Sequence, residues 1–352
     1  MVTAVFDRLI GQPQAVRLLG QAIAHNRIAP GYLFVGPNGI GKRLAAECFV
    51  HQLLQPRSAS LTQQHHSAAL SQSELSHLHL RIQQRNHPDL FWVEPTYTHQ
   101  GKQISMAEAE ERGLKRRAPP ILRLEQIRTV TEFLSRPSLE APQSVVVLEQ
   151  TETMAEAAAN ALLKTLEEPG NATLILIAPS VDSLLPTLIS RCQIIPFRRL
   201  DRDAIAHILQ NAGYGHILTQ PHMLDLAQGS PGEAIASWQK SQAIEEQSPS
   251  LLEHLQQPPT SIRQALTLGQ TIAKQLDPET QLWLIGYLQQ CYWRNSYRIM
   301  SESTGIAMHP LIGKSTVDIL ETARQHLRRY VQPRLVWEVA LMKLVMSNRI
   351  EL

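Results

Sequence analysis

A short glycine-rich run has the residue types and spacing most typical of phosphate chemistry in this sequence. It follows the pattern G-x-x-x-x-G-K, in which glycines let backbone N–H groups turn toward a phosphate and the lysine reaches its charge. In such loops the next residue is Ser or Thr, whose hydroxyl holds Mg²⁺, but here it is Arg43. The pattern therefore predicts a phosphate-binding loop that has lost its magnesium ligand. The candidate cofactor-binding residues are Gly36, Pro37, Asn38, Gly39, Ile40, Gly41, Lys42 and Arg43.

A second group of polar residues follows an apolar run at 144–148. An ATPase needs an acid near the metal at the end of such a strand, and then a base that activates water. Gln150 stands where the base is needed, and an amide cannot take a proton from water at neutral pH. Glu149 and Glu152 are candidate metal contacts, with solvated carboxylates that open the next helix as the alternative. Two catalytic positions of an ATPase are therefore missing.

Arg191 is the third candidate for chemistry. It lies near the end of a short helix that Pro186 is suited to begin. An exposed guanidinium there could stabilise the γ-phosphate of ATP bound to a neighbouring subunit. The alternative, which position alone favours, is an arginine paired with a local carboxylate.

Alternating apolar strands and helices must position these residues. Short apolar runs predict buried strands at 32–35, 144–148 and 173–177, and helices are predicted at 44–54 and 154–168. This alternation, which continues through Phe197, predicts an α/β domain with a parallel sheet. The second predicted helix has one apolar face, formed by Met154, Ala158, Leu162 and Leu166.

Three sequence runs carry a resemblance to a known family. They are FDRLIGQ at 6–12, LLKTLEEP at 162–169 and Ser-Arg-Cys at 190–192. Together they resemble the clamp-loader branch of the AAA+ proteins, and within it the delta-prime family of bacterial DNA polymerase III. The resemblance is dense from about residue 5 to 200 and thinner beyond.

The resemblance implies an AAA+ fold that does not hydrolyse ATP itself, in a hetero-oligomer of the DNA polymerase III holoenzyme that acts in DNA replication. It implies that Arg191 serves as an arginine finger for the adjacent ATPase subunit. The implied partners are gamma/tau-type ATPase subunits and the clamp-opening delta subunit, with the sliding clamp and primed DNA reached through the assembly. No cofactor is required, and whether Lys42 still holds ATP as a vestige stays open.

Two further positions depart from the active ATPases of that branch. Gly232 occupies the place of an arginine that usually touches the phosphates, in the run Gly229–Ala234 that resembles the start of the sensor-2 helix. The run Ala178–Ser180 is a weak version of the polar sensor expected after the preceding strand. Little in this pocket is therefore expected to detect a γ-phosphate.

A zinc module of four cysteines is common in the family, but this chain has three cysteines, Cys48, Cys192 and Cys291. We therefore expect no zinc and no other metal site. Histidines in the same part of the chain are the alternative ligands, although the Gln and Ser between them are more typical of a polar insertion. These histidines are His65, His66, His77, His79 and His87.

The length of 352 residues is more than one core usually needs. We predict an AAA+ domain at 1–198 with a polar insertion at about 55–90, a small helical lid at 199–242, and an all-α collar at 243–352. Loops are expected at 258–259 and 295–310. The last helix places Leu335, Val339, Met342 and Met346 on one face, for which ordinary core is the first interpretation and a subunit contact in the collar the second.

Composition excludes several classes of protein. The sequence contains no long apolar run or secretory leader, and its few cysteines suit the cytoplasm. A net charge of +2 does not indicate a strong nucleic-acid surface. The first interpretation of the basic residues at 115–117 and within 324–329 is that they are solvated surface charges. Two other functions stay open, an active gamma/tau-like ATPase of the same branch and a DNA-binding adaptor.

Overall fold

The chain consists of two units, residues 1–204 and 205–352. A computed structural model describes residues 4–55, 72–99, 101–112, 119–302 and 311–349. The strands are β1 Gly31–Val35, β2 Leu90–Val93, β3 Tyr97–His99, β4 Lys102–Ile104, β5 Ser144–Leu148, β6 Ala172–Ala178 and β7 Gln193–Pro196. The first helices are α1 Pro13–Ala24, α2 Lys42–Leu53, α3 Gln72–Gln83, α4 Met106–Glu111, α5 Leu124–Leu134, α6 Glu156–Glu167 and α7 Pro186–Ile189. They are followed by α8 Arg202–Asn211, α9 Pro221–Ala227, α10 Pro231–Gln247, α11 Leu251–Leu255, α12 Ile262–Gln275, α13 Pro278–Glu302, α14 Leu311–Arg328 and α15 Pro333–Arg349.

A parallel five-stranded sheet in the order β2-β5-β6-β1-β7 forms the centre of the first unit. Its middle strands β1, β5 and β6 are buried along their whole length, because helices cover both faces. Alternate residues of β1 enter different cores: Tyr32 and Phe34 pack with Phe49 of α2, whereas Leu33 packs in the core that contains Leu162 of α6. The predicted parallel α/β domain is confirmed.

The carboxyl ends of β1 and β5 open at the same edge of the sheet. Both strands pair with β6 in parallel, with Val35 opposite Ala178 and Leu148 opposite Leu176. Ligands of such sheets bind at this edge. The register therefore brings the glycine-rich loop after β1 close to Glu149, the residue that follows β5.

Several elements of the first unit differ from the predictions. The predicted helix at 154–168 begins later, at Glu156, and Met154 precedes it after a turn of 3₁₀ helix at Thr151–Thr153. The stretch predicted as a polar insertion contains α3 in its described part. Neither β2 nor the antiparallel hairpin of β3 and β4 was predicted.

The second unit is helical, and no strand is found after Pro196 in the part of the chain that the structure describes. α13 continues to Glu302, so the predicted loop at 295–310 is wrong for its first half, and 303–310 lie outside the described residues. α10 continues past residue 242 to Gln247. The division of this unit into a lid and a collar stays a prediction.

The face that the last helix turns to the core differs from the predicted one. Trp337 of α15 is fully buried, and its Nε1 atom donates a hydrogen bond to Oε1 of Gln281 at 2.9 Å. Leu335 and Met346 are each 53% exposed, Val339 is partly exposed and Met342 is half-buried. The interpretation of that face as core is therefore wrong, since the core face is formed by Val336, Trp337, Ala340, Leu341, Leu344 and Val345.

None of the helices, over the described residues, combines the length and apolar character that crossing a membrane requires.

Candidate functional site

The glycine-rich loop joins β1 to α2, which is the strand-loop-helix context that the motif requires. Gly39 and Gly41 have φ angles of 68° and 102°, in a region that favours glycine. Lys42 opens α2 and is only 6% exposed. Its ammonium donates hydrogen bonds to two carbonyl oxygens of the loop, that of Gly36 and, at 2.9 Å, that of Pro37. The lysine thus contacts the loop's own backbone.

Gly36 has a packing role that is independent of any phosphate. A Cβ atom at this position would lie 2.5 Å from the carbonyl oxygen of Phe197 and 2.8 Å from the Phe197 Cβ. Real Cβ atoms do not approach backbone oxygens so closely, so only glycine fits where the loop passes the end of β7.

Arg43 lies among carboxylates. Its Nη1 atom is 3.4 Å from Oε1 of Glu94 and 3.4 Å from Oε1 of Glu149, and its Nε atom is 3.4 Å from Oε1 of Glu47. The guanidinium carbon also lies 5.7 Å from the centre of the Trp92 ring. The residue in the place of the magnesium ligand therefore points toward the acid that follows β5.

A second arginine completes this cluster. Arg85 pairs with Glu94, lies 3.8 Å from Oε1 of Glu149, and has its guanidinium carbon 5.3 Å from the centre of the Trp92 ring. The Trp92 indole N–H donates a 2.6 Å hydrogen bond to Oε1 of Glu149. We call Arg43, Arg85, Trp92, Glu94 and Glu149 the Arg43 cluster.

Burial and charge act in opposite directions on the acids near the loop. Burial raises the pKa of Glu149, and the charge of Arg43 is the largest opposing effect. Burial also raises the pKa of Glu94, but the hydrogen bond and charge of Arg85 and the charge of Arg43 outweigh it, so that pKa is lowered overall. At Glu152 burial raises the pKa, and the charge of Lys42 opposes the shift.

These residues do not fit the Mg²⁺ ion that the fold class suggests. Mg²⁺ needs oxygen ligands in a regular octahedron, including the hydroxyl that Arg43 replaces. The Arg43 guanidinium instead lies within ion-pair distance of the Glu149 carboxylate, where it would repel a second cation.

Gln150 follows Glu149 in a left-handed backbone conformation, with a φ angle of 49°. Its carbonyl oxygen accepts hydrogen bonds from the backbone N–H and the hydroxyl of Thr153, at 2.9 and 2.8 Å. The residue therefore closes the turn after β5 through its backbone, while its side chain brings no base to the site.

Arg191 lies two residues beyond α7, and its side chain is 35% exposed. Its guanidinium forms an ion pair with Glu167 at the end of α6 and donates a 3.0 Å hydrogen bond to the carbonyl oxygen of Thr187. In the chain by itself, Arg191 is therefore paired with a local carboxylate, as the alternative interpretation predicts. The role of an arginine finger stays a prediction.

The two sensor positions carry no cation. Gly232 lies in the first turn of α10, whose N-cap residue Ser230 accepts a hydrogen bond from the Glu233 N–H at 3.3 Å. Ser180 is exposed just after β6, and its carbonyl oxygen accepts a 2.6 Å hydrogen bond from the Ser183 hydroxyl.

The histidines and cysteines form no metal cluster within the described ranges, where no group of three or more potential ligands is placed to hold an ion. Cys48, Cys192 and Cys291 are free thiols. His65 and His66 lie outside the described residues, so the expectation of no zinc stays a prediction.

Sequence reasoning missed Arg85, Trp92 and Glu94. Arg85 belongs to no recognised motif, and its φ angle of 56° places it in a turn before β2. Trp92 and Glu94 come with β2, which pairs with β5 and so reaches Glu149. Predicting from the sequence that β2 lies beside β5 would have indicated that Trp92 and Glu94 lie near Glu149.

Comparisons with known proteins agree with this architecture. The family described as "DNA polymerase III, delta subunit" matches residues 11–201, more than half of the chain. A second family, described as "Cyanobacterial DNA polymerase III delta prime, C-terminal domain", matches residues 203–344. The crystal structure of a DNA polymerase III gamma subunit-related protein from Thermotoga maritima is similar in fold, with a TM-score of 0.51 and 14% identity over 95% of this chain and 99% of that one.

Individual relatives are similar to about half of the chain. The chain is 33% identical to DNA polymerase III subunit delta' of Bacillus subtilis, over 55% of this chain and 50% of that protein. It is 38% identical to the subunit of the same name from Pseudomonas aeruginosa, over 47% and 42%. The chain thus spans about half the length of these relatives. Because the family match covers most of the α/β unit and the second match continues through the helical unit, the chain belongs to the delta-prime family of DNA polymerase III.

Proposed function

We propose that this chain is a non-hydrolysing subunit of the DNA polymerase III clamp loader that donates Arg191 to the ATP site of an adjacent subunit. It would have no enzymatic activity of its own and would help to load the sliding clamp onto primed DNA. Its partners would be gamma/tau-type ATPase subunits and the delta subunit, in the cytoplasm.

The observation that carries the proposal is the place of Arg43. Its guanidinium lies 3.4 Å from both Glu94 and Glu149, where an ATPase would have a hydroxyl and a metal ion. Gln150 adds a second defect, because its amide cannot act as the base. Both positions would have to be replaced for the chain to hydrolyse ATP.

Arg191 is the residue best suited to act on a neighbour's nucleotide. It is partly exposed beyond the short helix α7, and its one ion-pair partner among the described residues, Glu167, is 51% exposed. An exposed pair of this kind contributes at most about 1 kcal/mol, so a phosphate from outside can displace the carboxylate. Arg191 also lies in the Ser-Arg-Cys run that carries the resemblance to clamp loaders.

The test is ATP hydrolysis by the clamp loader reconstituted with its ATPase and delta subunits, in the presence of clamp and primed DNA. We expect Arg191→Ala to slow this hydrolysis by about fivefold or more. An arginine finger contributes roughly 10³–10⁵ in kcat at its own site, and the smaller total effect allows for other ATPase sites in the complex. Gln150→Ala should have no effect.

The matched control is Arg136→Ala, which removes an exposed arginine that follows α5. This variant should support hydrolysis at the wild-type rate. The isolated wild-type chain should be inactive. Hydrolysis by the isolated chain would contradict the proposal and favour an active gamma/tau-like ATPase. An Arg191→Ala complex as active as the Arg136→Ala complex would also contradict the proposal, because Arg191 would then not act as the finger.

A further inference from the structure

The Glu149 carboxylate needs a nearby cation. Its side chain is 14% exposed, at the end of a strand that is buried along its whole length. A carboxylate in such a place is stable in its charged form only with a positive partner and hydrogen bonds. In a working phosphate loop that partner includes Mg²⁺. Here the hydrogen bond comes from Trp92, at 2.6 Å.

The positive partners come from the chain itself. Arg43 lies 3.4 Å and Arg85 lies 3.8 Å from the same Oε1 atom of Glu149. Arg43 also reaches Glu94, so one guanidinium bridges the acid after β5 and the acid after β2. Such bridging between carboxylates is what a divalent ion does in other sites.

The Trp92 ring holds both cations at this position. The guanidinium carbons of Arg43 and Arg85 lie 5.7 and 5.3 Å from its centre, within the range of cation–π attraction. The ring, through its N–H, also fixes the Glu149 carboxylate. The Trp92 ring therefore contacts both arginines and the Glu149 carboxylate, so Arg43 is part of a connected cluster.

We propose that the Arg43 guanidinium takes the place of Mg²⁺ beside Glu149, so that the loop after β1 is closed to metal-bound nucleotides. This inference deepens the non-hydrolysing part of the proposed function and rests on it. It assigns Arg43 a positive role, as the resident cation of the site. Replacing Arg43 by the usual Thr should consequently create a divalent-metal site.

Binding of Mn²⁺, used as a paramagnetic substitute for Mg²⁺, tests this on the full chain without nucleotide. Electron paramagnetic resonance counts the free ion directly. We expect no Mn²⁺ site at Glu149 in the wild type. Arg43→Thr should bind Mn²⁺ tighter than the wild-type background by about tenfold or more, because a positive charge close to two carboxylates has been removed. The double variant Arg43→Thr/Glu149→Gln should lose this gain.

Arg43→Lys is the matched control, since it keeps the charge and should bind no more Mn²⁺ than the wild type. Circular dichroism will check that each variant is folded. A folded Arg43→Thr variant that gains no Mn²⁺ site overturns the proposal. Wild-type binding that Glu149→Gln abolishes overturns it too, and this result does not depend on any Arg43 variant. In either case the Arg191→Ala experiment still decides the proposed function separately.

Discussion

The carboxylate of Asp89 holds three successive backbone N–H groups of the loop that leads into β5. Its Oδ1 atom accepts from Leu139 at 2.6 Å, and its Oδ2 atom accepts from Glu140 and Ala141, each at 2.7 Å. Asp89 is buried just before β2. Burial raises its pKa, but the three hydrogen bonds outweigh this effect, so the pKa is lowered overall. The residue ties the approach to β5 to the start of β2.

Asp89→Asn should therefore destabilise the first unit by about 2–3 kcal/mol. Whichever way the amide is oriented, its NH₂ group faces a backbone N–H, and at least one hydrogen bond is lost. Urea denaturation would measure the change. Asp277→Asn is the control, because Asp277 accepts two N–H groups at the exposed start of α13, where Asn caps as well as Asp. Equal effects of the two substitutions would contradict this account of Asp89.

The sequence indicates Arg43, Gln150 and Arg191 as candidates because each stands at a fixed place in a motif. It could not pair Arg43 with Glu149, because that contact depends on the sheet order. Nor could it indicate Arg85, which reaches the site only through the turn before β2. The pairing of Arg191 with Glu167 joins the ends of two helices, and no local pattern encodes it.

At the scale of elements, the turn from His87 to Asp89 fixes the start of β2. The Asp89 N–H donates to Nδ1 of the buried His87 at 3.1 Å. Burial, helped by the charge of Arg81, lowers the pKa of His87 below its ordinary 6.5. The folded chain therefore protonates His87 only at a lower pH than the unfolded chain, in which His87 gains its proton near pH 6.5.

This difference predicts how stability depends on pH. Below about pH 6.5 the unfolded state binds more protons at this residue, so the free energy of unfolding should fall as the pH drops. His87→Asn, which keeps an acceptor without titrating, should show a smaller fall in the urea midpoint between pH 7 and 5. Some fall should remain, because burial also lowers the pKa of His51.

His25→Asn, at an exposed position after α1, is the matched control and should keep the wild-type pH dependence. If the His87→Asn and His25→Asn variants respond to pH alike, His87 does not contribute to the pH dependence.

The elements that the sequence predicted best are those buried on both faces. β1, β5 and β6 are continuous apolar runs, which is the pattern of central parallel strands. The hairpin of β3 and β4 was missed because its residues are mostly polar and its strands lie outside the main sheet. The loop predicted from Asn295 was wrong because polar residues also occur within long helices, and α13 continues to Glu302.

At the scale of the whole molecule, the exposed side of α15 is the feature most relevant to assembly. Leu335, Val339 and Met346 lie on this side, with exposed fractions of 53%, 37% and 53%. The opposite side is already packed, with α12 so close that a Cβ on Gly269 would lie 3.0 Å from the backbone nitrogen of Glu338. The apolar residues on the exposed side would suit a contact between subunits in the predicted collar.

We expect Leu335→Asp to weaken incorporation into the reconstituted clamp loader by about tenfold or more, since a charge would enter an apolar contact. The fold should be unaffected, because Leu335 is exposed in the first turn of α15, where an acid is favourable. Gel filtration of the complex and thermal unfolding of the free chain would measure both. Gln325→Asp, at an exposed position of α14, should assemble normally. Normal assembly of Leu335→Asp would exclude this face from the collar contact.

The close approach of Gly36 to Phe197 has a consequence for how such sequences are classified. A glycine is required there by the neighbouring strand, so it would persist after every contact with phosphate had been lost. The first glycine of the motif therefore records the geometry of the sheet, and it says nothing about a ligand. Searches that score nucleotide binding by glycine spacing will include chains of this kind, and the residue after the lysine separates them better.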